Sequence, residues 1–199
     1  MIDDEPHNGL RRDACAGAHL MDRLFVAVEL PGEVKEALSS VQDALKASQA
    51  RLTLVDPDII HITLKFIGDV PESHTRKIGE VLGMVKADPF PLRVRGIGGN
   101  NPRQPRVIWA HIDDGGKCGL LNAQIEDVLA PLGVKREARA FRPHATVARV
   151  KEFHPDLLER VKPFRERDFG EGVVPGFVLK RSTLTPRGPV YEDVKEVSF

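Results

Sequence analysis

Residues 61–68, HITLKFIG, and residues 142–150, RPHATVARV, carry one pattern twice: His61-Ile62-Thr63-Leu64 and His144-Ala145-Thr146-Val147. Both runs alternate and are rich in β-formers, so each predicts a strand. Successive side chains of a strand point to opposite faces. His61 and Thr63 therefore share one face while Ile62 and Leu64 share the other, and the second run repeats the arrangement. At 199 residues the chain fits one domain, or two small lobes sharing a core.

Working outward, Leu24-Phe25-Val26-Ala27-Val28 reads as a buried strand stopped by Pro31-Gly32. Val34, Leu38, Val41 and Leu45 then fall on one stripe of a helix over about residues 33–48. Ser73 is placed to cap a second helix bearing Ile78, Leu82 and Val85. Strands are expected at 91–96 and 106–112, flanking a loop that begins at Ile97-Gly98-Gly99. A third helical stripe holds Leu121, Ile125, Val128, Leu129 and Leu132 and ends at Gly133. After the second histidine strand come a short helix near 155–161 and two closing strands, near 176–184 and 190–199. The order predicts an α+β fold with mostly antiparallel strands. Residues 1–20 carry no period and are expected to be a disordered extension, leaving 21–199 as a single domain.

The 199 residues are 41% hydrophobic and 29% charged, ordinary values for a globular protein. Lys plus Arg and Asp plus Glu balance at 29 each. Any nucleic-acid contact must therefore come from a local basic face, which disfavours a long-duplex binder. The glycines of the loop that begins at Ile97, Gly98 and Gly99, lack the Lys and Ser or Thr of a phosphate-binding loop, which argues against a nucleoside-triphosphate site. Two cysteines, Cys15 and Cys118, make neither a disulfide framework nor zinc spacing, so a reducing cytoplasm is expected. No run approaches a membrane span, and a monomer is the default.

If the two histidine strands lie side by side in a cleft, two imidazoles flank a volume suited to a phosphate. In-line opening of a cyclic phosphodiester needs one group to take a proton from water and another to protonate the departing ribose oxygen. Histidine holds either proton state near neutrality. Threonine hydroxyls can donate to the non-bridging oxygens. The bland alternative, chance His-x-Thr pairs, weakens when the pattern recurs in two strands. No metal or cofactor is expected, because two histidines on remote strands lack a third ligand.

The segments HITLKFIG, RPHATVARV, LTPRGPVYEDV (184–194) and RLFVAVELP (23–31) together resemble the two-histidine phosphoesterase superfamily, most closely its RNA 2′,3′-cyclic phosphodiesterases, formerly described as 2′-5′ RNA ligases. The resemblance implies two pseudo-twofold-related antiparallel sheets backed by helices, with the site in the cleft between lobes. It further implies metal-independent hydrolysis of a terminal 2′,3′-cyclic phosphate to a 2′-phosphate on RNA, with tRNA halves as one described substrate for the reverse, 2′-5′ joining reaction. By the same resemblance His61 is proton donor, His144 proton acceptor, and Thr63 and Thr146 bind phosphate.

Arg149, five residues after His144, matches an arginine of the family expected near the phosphate. Plain alternation points it to the wrong face, so a bulge would be needed to re-aim it. Phe66 has the same offset from His61: a cleft residue if re-aimed, a core aromatic if not. Tyr191 is a candidate for stacking on a base. Trp109 reads as core and His111 as incidental. Lys135, Arg136, Arg139 and Arg142, with Arg103 and Arg106, are candidates for an RNA groove or a solvated surface. Competing readings are another substrate, such as a cyclic nucleotide or a 2′-5′ oligoadenylate, and a non-catalytic RNA-binding module.

Overall fold

The computed structural model describes residues 21–186 and 188–199. The extension expected at 1–20, with Cys15, lies outside the described residues. The elements run β1 (Met21–Glu29), α1 (Gly32–Lys46), β2 (Arg51–Leu54), a 3₁₀ turn (Pro57–Ile59), β3 (His61–Pro71), α2 (Glu72–Leu82), β4 (Phe90–Gly99), β5 (Val107–Asp113), α3 (Lys117–Leu129), β6 (His144–Glu152), α4 (Asp156–Val161), β7 (Asp168–Val174), β8 (Gly176–Thr185) and β9 (Gly188–Ser198).

The strands pair antiparallel in the order β7-β4-β5-β6-β3-β1-β8-β9, with β2 beside β6. The sheet narrows at its centre, where β3 and β6 meet through Ile62 and Ala145. One half holds β3-β1-β8-β9 and the other β6-β5-β4-β7, so the two histidine strands stand back to back at the seam. Each is flanked by an earlier strand of its own half, β1 beside β3 and β5 beside β6. The apolar stripe of α1, Val34, Leu38, Val41 and Leu45, is fully buried, as its spacing predicts. Ile62, Val147, Ala148 and Leu129 belong to the same core.

Several elements differ from expectation. Helix α2 starts at Glu72 behind Pro71, with no side-chain cap, so Ser73 does not cap it. Strand β4 continues through Ile97, Gly98 and Gly99, which pair with Ala110, Trp109 and Ile108. The glycines there meet a spatial demand: a Cβ on Gly98 would stand 2.5 Å from His111 Nε2. Strands β2 and β7 had no legible pattern. Four residues are too few to show alternation, and Asp168-Phe169-Gly170-Glu171-Gly172 reads as loop although it forms an edge strand.

Asp156 fastens the end of α1 to α4. It accepts from the Ser48 hydroxyl at 2.8 Å and the Gln49 amide at 3.0 Å, and meets His154 Nδ1 at 2.8 Å. Burial works to raise its pKa, but the Gln49 amide, His154 and Ser48 outweigh it and hold the carboxyl at about 2. A depressed acid stabilises above its unfolded pKa, near 3.9, and that contribution is lost as pH falls through the folded value. Asp156→Asn should therefore lower stability to urea at neutral pH, with the gap to the wild type closing between about pH 4 and 2. A gap that stays constant across that window would show that ionisation of Asp156 is not what holds the two helices.

Candidate functional site

The one pairing at the seam fixes the site. Ile62 and Ala145 oppose each other and are both buried on the helix side. Their neighbours on either side, His61 and Thr63 on β3 and His144 and Thr146 on β6, must project to the opposite face. Antiparallel register sets Thr63 across from His144 and His61 across from Thr146.

Both imidazoles are oriented in the same way. His61 Nδ1 lies 2.8 Å from the Ile59 carbonyl, and His144 Nδ1 lies 2.8 Å from the Arg142 carbonyl, two residues back in each case. A carbonyl can only accept, so Nδ1 carries the hydrogen and Nε2 is the atom left to take or give a proton. The Thr63 hydroxyl lies 3.0 Å from His61 Nε2 and donates to it in the neutral form. The rings differ in surroundings. His61 stacks on Phe25, with centroids 5.0 Å apart, and meets the edge of Tyr191 at 5.5 Å. His144 packs on Trp109 at 4.6 Å. Burial pushes the pKa of His61 below its ordinary value, partly offset by the Ile59 carbonyl and the nearby Glu29 carboxylate.

Glu29, the β1 partner of His61, is held between Lys35 Nζ at 2.7 Å and Lys180 Nζ at 2.8 Å. Burial favours its neutral form, but the two ammonium groups outweigh this and keep it ionised. Lys35 also donates to the Asp58 carbonyl at 2.8 Å, tying α1 to the turn that supplies the Ile59 carbonyl.

A cavity of about 780 Å³ opens on this face between the two halves. It is lined by His61, Thr63, Phe66 and Tyr191 from one half and Thr146 and Arg149 from the other, together with Arg23, Phe25 and Ser182. His144, on the same face and opposite His111 on β5, is not among the residues that line it. Arg149 and Phe66 reach the cavity because each histidine strand carries a β-bulge. Between Ala27–Thr63 and Val26–Lys65 one residue, Leu64, is left over on β3; between Trp109–Thr146 and Ile108–Ala148 one residue, Val147, is left over on β6. Each extra residue reverses the alternation, so the fifth residue after the histidine faces the same way as the histidine.

Phe66 is accordingly not a core aromatic. It is 50% exposed, with the Arg23 guanidinium 4.8 Å over its ring. Trp109 pairs with Thr146 and faces the cleft side, not the core, and His111 is likewise a neighbour of His144. Arg23 and Ser182 were not singled out from sequence. Ser182 could have been found as the hairpin partner of Tyr191, whereas Arg23 sits just ahead of the recognisable strand pattern. None of the six basic candidates at 103, 106, 135, 136, 139 and 142 lines this cavity. Arg136 pairs with Asp127 at 2.5 Å instead. Among the described residues, no group of three or more His, Cys, Asp and Glu side chains is placed to hold a metal ion, and no helix is long and apolar enough to cross a membrane.

The family model described as LigT-like phosphoesterase matches residues 28–109 and 117–191, a span that takes in both histidine strands and Tyr191. The chain belongs to the LigT-like phosphoesterase family. Among curated LigT-like relatives, the RNA 2′,3′-cyclic phosphodiesterase of Archaeoglobus fulgidus is 36% identical over 174 residues, covering 87% of this chain and 98% of that one. That of Thermus thermophilus is 37% identical over 187 residues, covering 89% and 90%. The crystal structure of TT0787 from Thermus thermophilus superposes with a TM-score of 0.70 at 34% identity, over 88% of this chain and 97% of that one. Escherichia coli LigT, solved with 3′-AMP, shares the two-lobed fold at a TM-score of 0.73 and 22% identity, over 90% and 99%.

Proposed function

We propose that this LigT-like phosphoesterase hydrolyses the 2′,3′-cyclic phosphate at an RNA end to a 2′-phosphate, with His61 and His144 as the proton-transfer pair. The observation that carries the reading is the duplicated orientation of the two imidazoles: each Nδ1 is committed to a backbone carbonyl two residues back, which leaves both Nε2 atoms for chemistry on one face. The curated relatives' activity supports the same reaction.

In the proposed step His144 takes a proton from water as the oxygen attacks phosphorus. The P–O3′ bond breaks, and His61 Nε2 gives its proton to the departing ribose oxygen. Thr63, Thr146 and Arg149 bind the non-bridging oxygens, where hydroxyl and guanidinium donors meet the charge that grows in the transition state. Phe66, backed by Arg23, and Tyr191 offer ring faces to the terminal base. Because burial disfavours the charged form of His61, its donor state belongs to the substrate complex, where the phosphate's negative charge favours imidazolium. With a 5′-hydroxyl in place of water, the same groups in the same roles would join it to the 2′,3′-cyclic end through a 2′-5′ linkage, the P–O3′ bond again breaking and the 3′-oxygen taking the proton. Residues 21–199 act as one domain and a monomer in this reading, in the cytoplasm, where such RNA ends are made and Cys118 stays reduced.

The test is incubation in chelator with a short RNA ending in a 2′,3′-cyclic phosphate, resolving 2′- from 3′-phosphate products. A 2′-phosphate formed without metal is the expected result, and no turnover would move the protein to another phosphodiester or to a binding role. Thr63→Val and Arg149→Ala should each lower kcat/KM by roughly 10- to 1,000-fold, the scale of a lost transition-state donor. Steady-state kinetics on the same RNA reads this. Full activity in both variants would place the phosphate elsewhere.

A further inference from the structure

The two bulges are held open in the same way. The carbonyl of the extra residue on β3, Leu64, accepts from the Asn122 side-chain amide on α3 at 2.9 Å. The carbonyl of the extra residue on β6, Val147, accepts from the Gln42 side-chain amide on α1 at 3.1 Å, and from the Val55 amide at 3.0 Å. Gln42 also donates to the Val55 carbonyl. It is only 4% exposed, although it sits within the otherwise apolar face of α1. A bulge takes a carbonyl out of the regular ladder, and a buried carbonyl without a donor costs a large part of a hydrogen bond. A primary amide reaching from the helix behind meets that need. An apolar side chain in its place would remove that donor, leaving the Val147 carbonyl with the Val55 amide and the Val55 carbonyl without Gln42, and would favour the regular register, in which Arg149 points away from the cavity.

We infer that Gln42 and Asn122 are positioning residues, each locking the β-bulge that turns the fifth residue after a catalytic histidine, Arg149 or Phe66, into the cavity. Neither amide touches the cavity, so each acts through the residue it aims. At Val147 the lock has a further structural reason. Here β6 changes neighbour, pairing with β3 at Ala145 and with β2 from Ala148 onward, and Gln42 ties both sides of that change to α1. The inference rests on Arg149 contacting the phosphate as proposed above.

The test is a double-mutant cycle in the full chain between Gln42→Met and Arg149→Ala. Inorganic phosphate binding is one readout and hydrolysis of the cyclic-phosphate RNA the other. Arg149→Ala alone should weaken phosphate binding by about 10- to 100-fold, the worth of a charged hydrogen bond. Gln42→Met should reproduce most of that loss. Adding Arg149→Ala to it should then cost less than about 3-fold, because residues acting as one unit do not add. In NMR spectra the Arg149 Nε–H resonance should move on phosphate addition in the wild type and stay still in Gln42→Met. Gln42→Asn, which keeps the amide, should fall between the two while melting close to the wild type.

Fold-changes that multiply, or an Arg149 signal that responds alike in both proteins, would overturn the inference. If phosphate binding follows the cycle but the RNA is not hydrolysed, the lock stands and the substrate assignment falls. If Arg149→Ala leaves phosphate binding unchanged, Arg149 is not a phosphate ligand and the lock aims it at nothing.

Discussion

Turnover of a cyclic-phosphate RNA by His61→Ala and by His144→Ala should each fall by about 10²- to 10⁴-fold, the usual worth of a positioned acid or base. The fold should survive both changes. His61 and His144 are part-exposed at the seam, and the core beneath them is made by Ile62, Ala145 and Val147. The double variant should be little worse than the poorer single one, since a proton-transfer pair acts as a unit. The pH dependence separates the roles further. Burial lowers the pKa of His61 in the free protein, and the phosphate's charge raises it again in the complex. A donor must be protonated, so the alkaline limb of kcat/KM, which reports the free enzyme, should lie below that of kcat. The opposite order would sink His61 as donor and leave it as the base.

How much of this was legible in the sequence depends on the range of the cause. Alternation within a strand is local, so the pairing of His61 with Thr63 and of His144 with Thr146 on one face could be read directly, as could the buried stripe of α1. A bulge is different. It is one residue left over when two strands are paired, and the partner strand is remote in sequence, so nothing within 61–68 or 144–150 marks Leu64 or Val147 as extra. Arg149 is therefore reached only through family resemblance, Phe66 stays open between cleft and core, and Trp109 reads as core. The basic run before the second histidine is ambiguous for a related reason: four cations in eight residues say nothing about direction, and none of the four lines the cavity. Arg23, just ahead of the apolar run of its strand, reaches it because that strand runs along the cavity wall.

Lys65 shows the cost of the β3 bulge from the other side. The extra residue that turns Phe66 outward turns Lys65 inward, beneath the sheet, where a cation must find partners or lower the stability of the fold. It finds Glu126 on α3 at 2.7 Å and the Lys135 carbonyl at 2.7 Å, and Glu126 in turn accepts from the Glu137 amide at 3.2 Å. Both side chains are nearly inaccessible, at 4% and 8%. Glu126 lies one helical turn after Asn122, so a single face of α3 serves both the freed carbonyl and the buried cation. Lys65→Met takes the counter-ion from Glu126 in the interior, leaving it only the Glu137 amide, and should cost about 3–5 kcal/mol. Glu126→Leu should be comparably costly, because it strands the ammonium. Joining the two changes removes both charges and orphans only the Lys135 carbonyl and the Glu137 amide, so the double variant should be more stable than either single one. Urea unfolding read at constant m-value measures all three. A loss under about 1 kcal/mol for Lys65→Met would mean that water reaches the pair and that the bulge exacts no such compensation. The expected result would mean that what aims Phe66 at the cavity is held by charge buried on the opposite face of the same strand.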